Sequence, residues 1–288
     1  MSEYIDFRKI TTELLEFQPR ENIFLLLDHG GLPGLSQQLR NCSAEWMSLF
    51  DGTKEESVLV VAPILLLAAN GGKIRLSRLV FDWLRKHGTY SSSVMILVSP
   101  LDLAYLASQL GARLHITLAG GVEAMLRFFD PRVFESLLDI LTQEQVEDFL
   151  GGVSSWYYVD RAGRIAQARE KYREVKVLSK SISLSQEQEN LLLESSEIDQ
   201  ILASLRSSVP DRFFEIPCES QYDFVLESVI EARKERLGSV LQMSLYAMIR
   251  LFGVNEMPMK VYQKTLEYIR SNDVNNLKAF LNSGEFGN

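Results

Sequence analysis

Between Val122 and Leu141 the apolar period of the chain changes from two to that of a helix, and this change constrains the local fold more than any other feature. From Val122 to Phe129, Val122, Ala124, Leu126 and Phe128 fall on one face, and Glu123, Met125, Arg127 and Phe129 on the other, which predicts a strand. Asp130 suits an N-cap and Pro131 the first helical position, where a missing N–H costs nothing. Val133, Phe134, Leu137, Leu138 and Leu141 then recur at helical spacing, so a helix with one buried face should follow. Thr142-Gln143-Glu144-Gln145 matches a capping box for a second short helix that ends near Gly151-Gly152. A hairpin is expected next, with Trp156 to Val159 turning through Asp160 to Gly163 into Arg164-Ile165-Ala166.

Upstream, strand-like runs at Asn22 to Leu27, Val58 to Val61, Val94 to Val98 and Leu114 to Leu118 alternate with helical patterns. One such pattern places Ile74, Leu79, Val80, Trp83 and Leu84 on an apolar face. The longest apolar run, Val58 to Ala69, contains Pro63 and falls well short of the ~20 residues of a membrane span. It reads as a buried strand broken or ended at Pro63. The alternation predicts an α/β (α+β) N-terminal lobe, a mixed sheet covered by helices, with its later strands antiparallel. From Gln186 onward the pattern is helical, with breaks near Pro210, Pro217, Gly238, Gly253 and Pro258, which predicts an all-helical C-terminal lobe of about five helices. The expected organisation is an α/β domain over 1–168, a charged crossing segment or linker over 169–185, and the helical lobe over 186–288.

A formal net charge of -8 opposes binding to a phosphate backbone, so no nucleic acid partner is expected. Cys42 and Cys218, far apart in sequence, suggest reduced thiols rather than a disulfide scaffold. Met1 to Asp6 lacks the basic start and apolar run of a signal peptide, which gives the expectation of a cytoplasmic protein with no membrane partner.

Chemical candidates are few. His29-Gly30-Gly31 resembles the oxyanion loop of some lipases, but the Gly-x-Ser-x-Gly elbow it would need is absent, so a turn after a strand is the better reading. Gly71-Gly72-Lys73 is similar to the end of a phosphate-binding loop, yet Leu67 and Ile74 stand where that loop needs Gly and Ser or Thr. It reads as a loop and a helix start. His29, His87 and His115 are isolated, with no zinc-ligand spacing, and no cofactor is expected. A hydrolase or transferase using His29 or His115 with a nearby carboxylate remains the alternative. The acidic run of Glu187, Glu189, Glu194, Glu197 and Asp199 suits a solvated face better than a site for a basic partner. Arg127 calls for a carboxylate, Asp130 or Asp28, if its face is covered, or else serves as a rim contact to a bound protein. The C-terminal lobe carries Met243, Tyr246, Met248, Phe252, Met257, Met259, Tyr262 and Tyr268, more than five short helices easily bury, and Met-rich surfaces suit adaptable protein binding.

Taken in order, Arg127-Phe128-Phe129-Asp130-Pro131-Arg132-Val133, Leu137-Leu138, the Thr142 and Gln145 cap, Phe149-Leu150-Gly151 and Trp156 resemble the effector-adaptor (chaperone) family of bacterial type VI secretion, the Tap- and Tec-like proteins with a DUF4123 domain. Phe24 to Gly30, Ser48 to Thr53, Ala62 to Leu65 and Leu97 to Pro100 agree in order and spacing, so the resemblance covers about residues 20–165. Gly151-Gly152-Val153 stands where the family commonly has Gly-Pro-Val, and His115 to Gly121 is less basic than in many members. The resemblance implies a non-enzymatic cytoplasmic adaptor that binds a type VI secretion effector protein and helps load it onto the valine-glycine-repeat (VgrG) spike protein. A structural component of the secretion machine is a further reading. Candidate partner-contact residues are Arg127, Arg132 and Trp156 of the motif, with Met243, Tyr246, Met257, Met259 and Tyr262 of the helical lobe.

Overall fold

The computed structural model describes residues 4–40, 43–169, 182–253 and 257–282. The chain divides into two compact units, Met1–Leu192 and Leu193–Asn288. Cys42 and most of the expected crossing segment, residues 170–181, lie outside the described residues.

The strands of the first unit are β1 (Asn22–Asp28), β2 (Trp46–Ser48), β3 (Pro63–Asn70), β4 (Lys73–Ile74), β5 (Val94–Ser99), β6 (His115–Thr117), β7 (Glu123–Met125), β8 (Ser155–Val159), β9 (Ile165–Arg169) and β10 (Ile182–Ser183). Seven of them form one antiparallel sheet in the order β2-β3-β1-β5-β8-β9, with β4 also paired to β3. A smaller sheet has the order β10-β6-β7, and its β10–β6 pair is parallel. Almost every consecutive residue of β1, β3 and β5 is buried. Because side chains alternate between the faces of a strand, this burial requires cover on both sides of the sheet.

The cover comes from α1 (Phe7–Phe17), α2 (Leu35–Arg40), α3 (Arg78–Gly88), α4 (Leu103–Gly111), α5 (Pro131–Ile140) and α6 (Gln143–Phe149). Several starts are written locally: Asp6, Ser77, Asp102, Asp130 and Thr142 each accept a backbone N–H as N-caps. The capping box of Thr142 and Gln145 closes in both directions, as its spacing predicts. Arg113, 3% exposed, ties two helices together. Its Nε donates to Phe149 O at 2.7 Å and its Nη2 to Gly151 O at 2.8 Å, beyond the end of α6, while Nη1 donates to Gln109 O in α4. Carbonyls left over at a helix end thus find donors inside the protein.

Four local expectations are corrected. The strand expected over 122–129 ends at Met125; Leu126 N–H still donates to Leu114 O at 2.7 Å, and a turn follows in which Asp130 N–H donates to Arg127 O. The turn breaks the alternation, so the adjacent Phe128 and Phe129 are both buried, which a straight strand covered on one face cannot achieve. Val58 to Val61 lies in a 3-10 turn, Glu56–Val61, and the strand starts at Pro63, the strand position where a missing N–H does least harm. Gly71 and Gly72, at φ 53° and 74°, make the β3–β4 hairpin turn rather than a helix start. Ile74 therefore belongs to β4, and α3 buries Val80, Phe81 and Leu84 while Leu79 faces solvent.

The second unit holds α8 (Pro210–Phe213), α9 (Gln221–Lys234), α10 (Val240–Leu251), α11 (Met259–Arg270) and α12 (Val274–Asn282), and the unit boundary falls within α7 (Gln186–Ser208). Its core gathers Ile201, Leu205, Phe213, Val225, Met243 and Ile269, and a second capping box, Ser239 with Gln242, starts α10. The helical lobe read from the sequence is present, and the α+β class of the first unit with it. Among the described residues no helix is long and apolar enough to cross a membrane.

Candidate interaction surface

The motif from Arg127 to Val133 is mostly a fastening. The Asp130 carboxylate caps α5 by accepting the Arg132 N–H at 3.0 Å, and its two oxygens accept from Arg132 Nε and Nη2 at 2.9 and 2.7 Å. Arg127 Nη2 donates to Asp28 Oδ2 at 2.8 Å, and its guanidinium lies 5.6 Å from the Phe129 ring centre. Asp28 is thus the partner of Arg127, while Asp130 serves Arg132. The Asp28 side chain is 4% exposed and that of Arg127 53%. Burial pushes the Asp28 carboxyl up from its ordinary range, against the pull of Arg127 and of the Gly30 N–H that it also accepts.

Behind these pairs lies an aromatic core. Phe134 stacks on Trp156 at 5.1 Å and meets Tyr158 edge-on at 5.4 Å, and Phe128 meets Phe149 edge-on at 5.5 Å. Trp156 is fully buried, with Nε1 donating to Leu150 O at 3.1 Å, so it has no surface to offer a partner. Nearby, Glu135 pairs with Arg161, its carboxyl raised by burial, and burial beside Glu135 pushes the Tyr158 phenol up to about 12. In the helical unit Met243 and Tyr246 are buried, Met257 and Tyr262 half-buried, and Met259 exposed. Tyr246 and Tyr262 place their hydroxyls 3.3 Å apart, and burial raises both phenols. The Met and Tyr residues expected as contacts therefore build core more than surface.

A surface that the sequence reading did not single out lies at the β2 edge. Trp46 is 42% exposed and Val60, in the turn before β3, 72%; Val58 and Val61 of the same turn are exposed as well. Trp46 and Val60 line a groove of about 440 Å³ with His29, Ser36, Leu39 and Ile64. A second groove of about 470 Å³ runs between Met47 and α4, past Ala104, Ala107, Gly111 and His115. Ser48 and Asp51 border both. Trp46 borders the first groove and Met47 the second, and neighbouring residues of a strand point to opposite faces. Pro63 was the available signal. A proline that opens a strand leaves the valines before it outside the ladder, with nothing in the pattern to bury them.

The histidines can be judged by their partners. His29 Nε2 lies 2.7 Å from Ser36 Oγ, and its Nδ1 is buried without a partner. The neighbouring Asp28 carboxylate is engaged by Gly30 and Arg127, so among the described residues no acid orients the ring as a catalytic triad requires. A buried orphan N–H costs more than an orphan lone pair, which favours the tautomer with Nε2–H donating to Ser36. That tautomer cannot take the serine proton. His115 Nε2 approaches Glu55 Oε2 to 3.4 Å without hydrogen-bond alignment, and His87 packs against Trp83 at 5.2 Å. No group of three or more metal-ligating side chains occurs among the described residues.

The family model described as a domain of unknown function, DUF4123, matches residues 23–148. This match holds β1 to β7, the Asp28–Arg127 pair, α5 and both grooves. No curated protein and no solved structure matches the chain.

Proposed function

We propose that this chain, with its DUF4123 domain at residues 23–148, is a non-enzymatic adaptor that holds a type VI secretion effector in the cytoplasm and helps load it onto the VgrG spike. The observation that carries this reading is the β2 edge, where Trp46, Val58, Val60 and Val61 stand exposed inside that domain. A chain that buries its central strands so completely leaves apolar side chains outside at a cost, and exposed apolar residues rimmed by polar ones mark sites of protein binding. The resemblance through residues 20–165 supplies the identity of the partners. Handover then runs on differences in affinity: the client is held until a better-matched surface competes for it.

A hydrolase is the second reading, and the contact of Ser36 with His29 is what favours it. The two readings separate in one experiment. Purification of the tagged full chain from its host under mild salt, followed by mass spectrometry, should recover a large toxin-like protein together with a spike protein. Ser36→Ala and His29→Ala each trim the wall of the groove beside Trp46, so they should weaken that recovery without abolishing it, whereas a hydrolase would lose its cellular activity outright in both. Recovery of the chain alone even after crosslinking, together with loss of a cellular activity in either variant, would reverse the assignment.

A further inference from the structure

The short β2 edge leaves backbone groups unpaired beside an open residue, Trp46, 42% exposed, while Ser48 at its end is 4% exposed. Glu45 O accepts from Leu67 N–H and Leu49 N–H donates to Pro63 O, both at 2.9 Å, so the residues between them alternate in the antiparallel ladder. Trp46 and Ser48 must therefore turn their N–H and C=O groups away from β3. Among the described residues no strand pairs with that side of β2. The Ser48 carbonyl accepts from Asp51 N–H at a long 3.3 Å, and among the described residues Trp46 has no backbone turn partner of this kind. Edge strands are commonly guarded by lysine, proline or a bulge, and Trp46-Met47-Ser48 carries none of these.

We propose that an extended segment of a client protein pairs with β2 as an added strand, its side chains entering the two grooves in alternation. The proposal rests on the adaptor reading and names how the client is held. Successive side chains of an added strand point to opposite faces of the sheet, and the grooves of about 440 and about 470 Å³ lie one beside Trp46 and one beside Met47. Charge sets the ends of the segment. Over residues 40–56 the exposed acids Glu45, Asp51 and Glu56 outnumber Arg40, which lines the first groove, since Lys54 is itself paired with Glu123. The client segment is thus apolar at alternate positions and basic at its ends.

The probe is a short synthetic peptide alternating valine and threonine with lysines at both ends, added to the full chain, beside the same peptide with glutamates at its ends. The lysine form should protect the Trp46 and Ser48 amides from hydrogen exchange, and the glutamate form should bind at least about tenfold more weakly. Trp46→Pro deletes an outward N–H that the β3 ladder does not use, whereas Trp46→Ala keeps it. The proline variant should therefore lose at least about tenfold more affinity than the alanine variant, with melting unchanged. Val60→Ser, at an exposed site that cannot threaten folding, should weaken the peptide several-fold. Absence of binding, binding without protection of those two amides, or equal affinity of the proline and alanine variants overturns the proposal. Wild type and Trp46→Pro chains purified from the host separate the two levels. A client retained by both leaves the adaptor reading standing without strand addition, and a client absent from both removes the adaptor reading itself.

Discussion

The corner formed by α5, α6 and β8 and the edge formed by β2 and the turn before β3 are both rich in large apolar side chains, and they treat them in opposite ways. The corner buries Phe128, Phe129, Phe134, Phe149 and Trp156 completely or nearly so and closes its charges, Arg132 on Asp130 and Arg127 on Asp28. The edge leaves Trp46 and Val60 in solvent beside a groove. A packed corner restricts many positions at once, in spacing and in residue type, and so it carries most of the resemblance. A docking edge needs only free backbone groups and some exposed apolar area, and it leaves a faint trace in sequence.

The strongest challenge to this contrast is Phe134→Ala, which removes the ring that touches Phe149, Trp156 and Tyr158. It should cost about 3–5 kcal/mol, read as a large fall in melting temperature. A small change would mean that the corner is loosely packed and that the contrast is false.

Arg127→Ala should cost about 1–3 kcal/mol at neutral pH by leaving a buried carboxylate unpaired, with water reaching part of the vacated site. Its pH dependence sharpens the test. The folded-state pKa of Asp28 is raised above 3.8, so the folded chain holds the proton more tightly than the unfolded one. The group then costs nothing below both values, and the cost grows as pH rises from the unfolded value through the folded one. Deleting Arg127 removes a lowering influence and moves the folded value further up. The loss of stability should accordingly be greater at about pH 7 than at about pH 4. Adding Asp28→Asn to Arg127→Ala should abolish that difference. A flat profile in the single variant, with client recovery lost, would make Arg127 a contact residue instead.

Thr142→Ala opens the capping box of α6 and should cost about 1 kcal/mol in chemical denaturation, leaving client recovery intact. Val60→Lys should shift stability by no more than about 0.5 kcal/mol, since the side chain already stands in water, yet it should reduce client recovery. Together these two order the molecule: the corner answers in stability and the edge in binding.

Elements with local signals were legible in the sequence. Asp130-Pro131, the Thr142 and Gln145 box and the Trp156 hairpin stand where spacing placed them, because caps and turns are settled by residues within a few positions. The Arg127 partner was narrowed to Asp28 or Asp130, and distance selects Asp28, 99 residues away. What failed needed tertiary information. Phe129 is buried because the chain turns at Phe128, a turn set by the aromatic core it packs on. The valines from Val58 to Val61 match a strand by composition, and only the location of β3 shows that no ladder is left for them. The β2 edge is the most remote of all, since an open side of a strand is defined by what does not pair with it.

The Arg113 guanidinium sets a condition on synthesis. Its donors are aimed at carbonyls of Phe149 and Gly151, which lie 36 and 38 residues further along the chain. A nascent chain that has reached α4 but not the end of α6 lacks two of the acceptors that this buried guanidinium uses, and burying it before they emerge is costly. Burial of Arg113 is thus tied to completion of α6: a chain ending before Gly151 should be cleaved faster in limited proteolysis than one made past it.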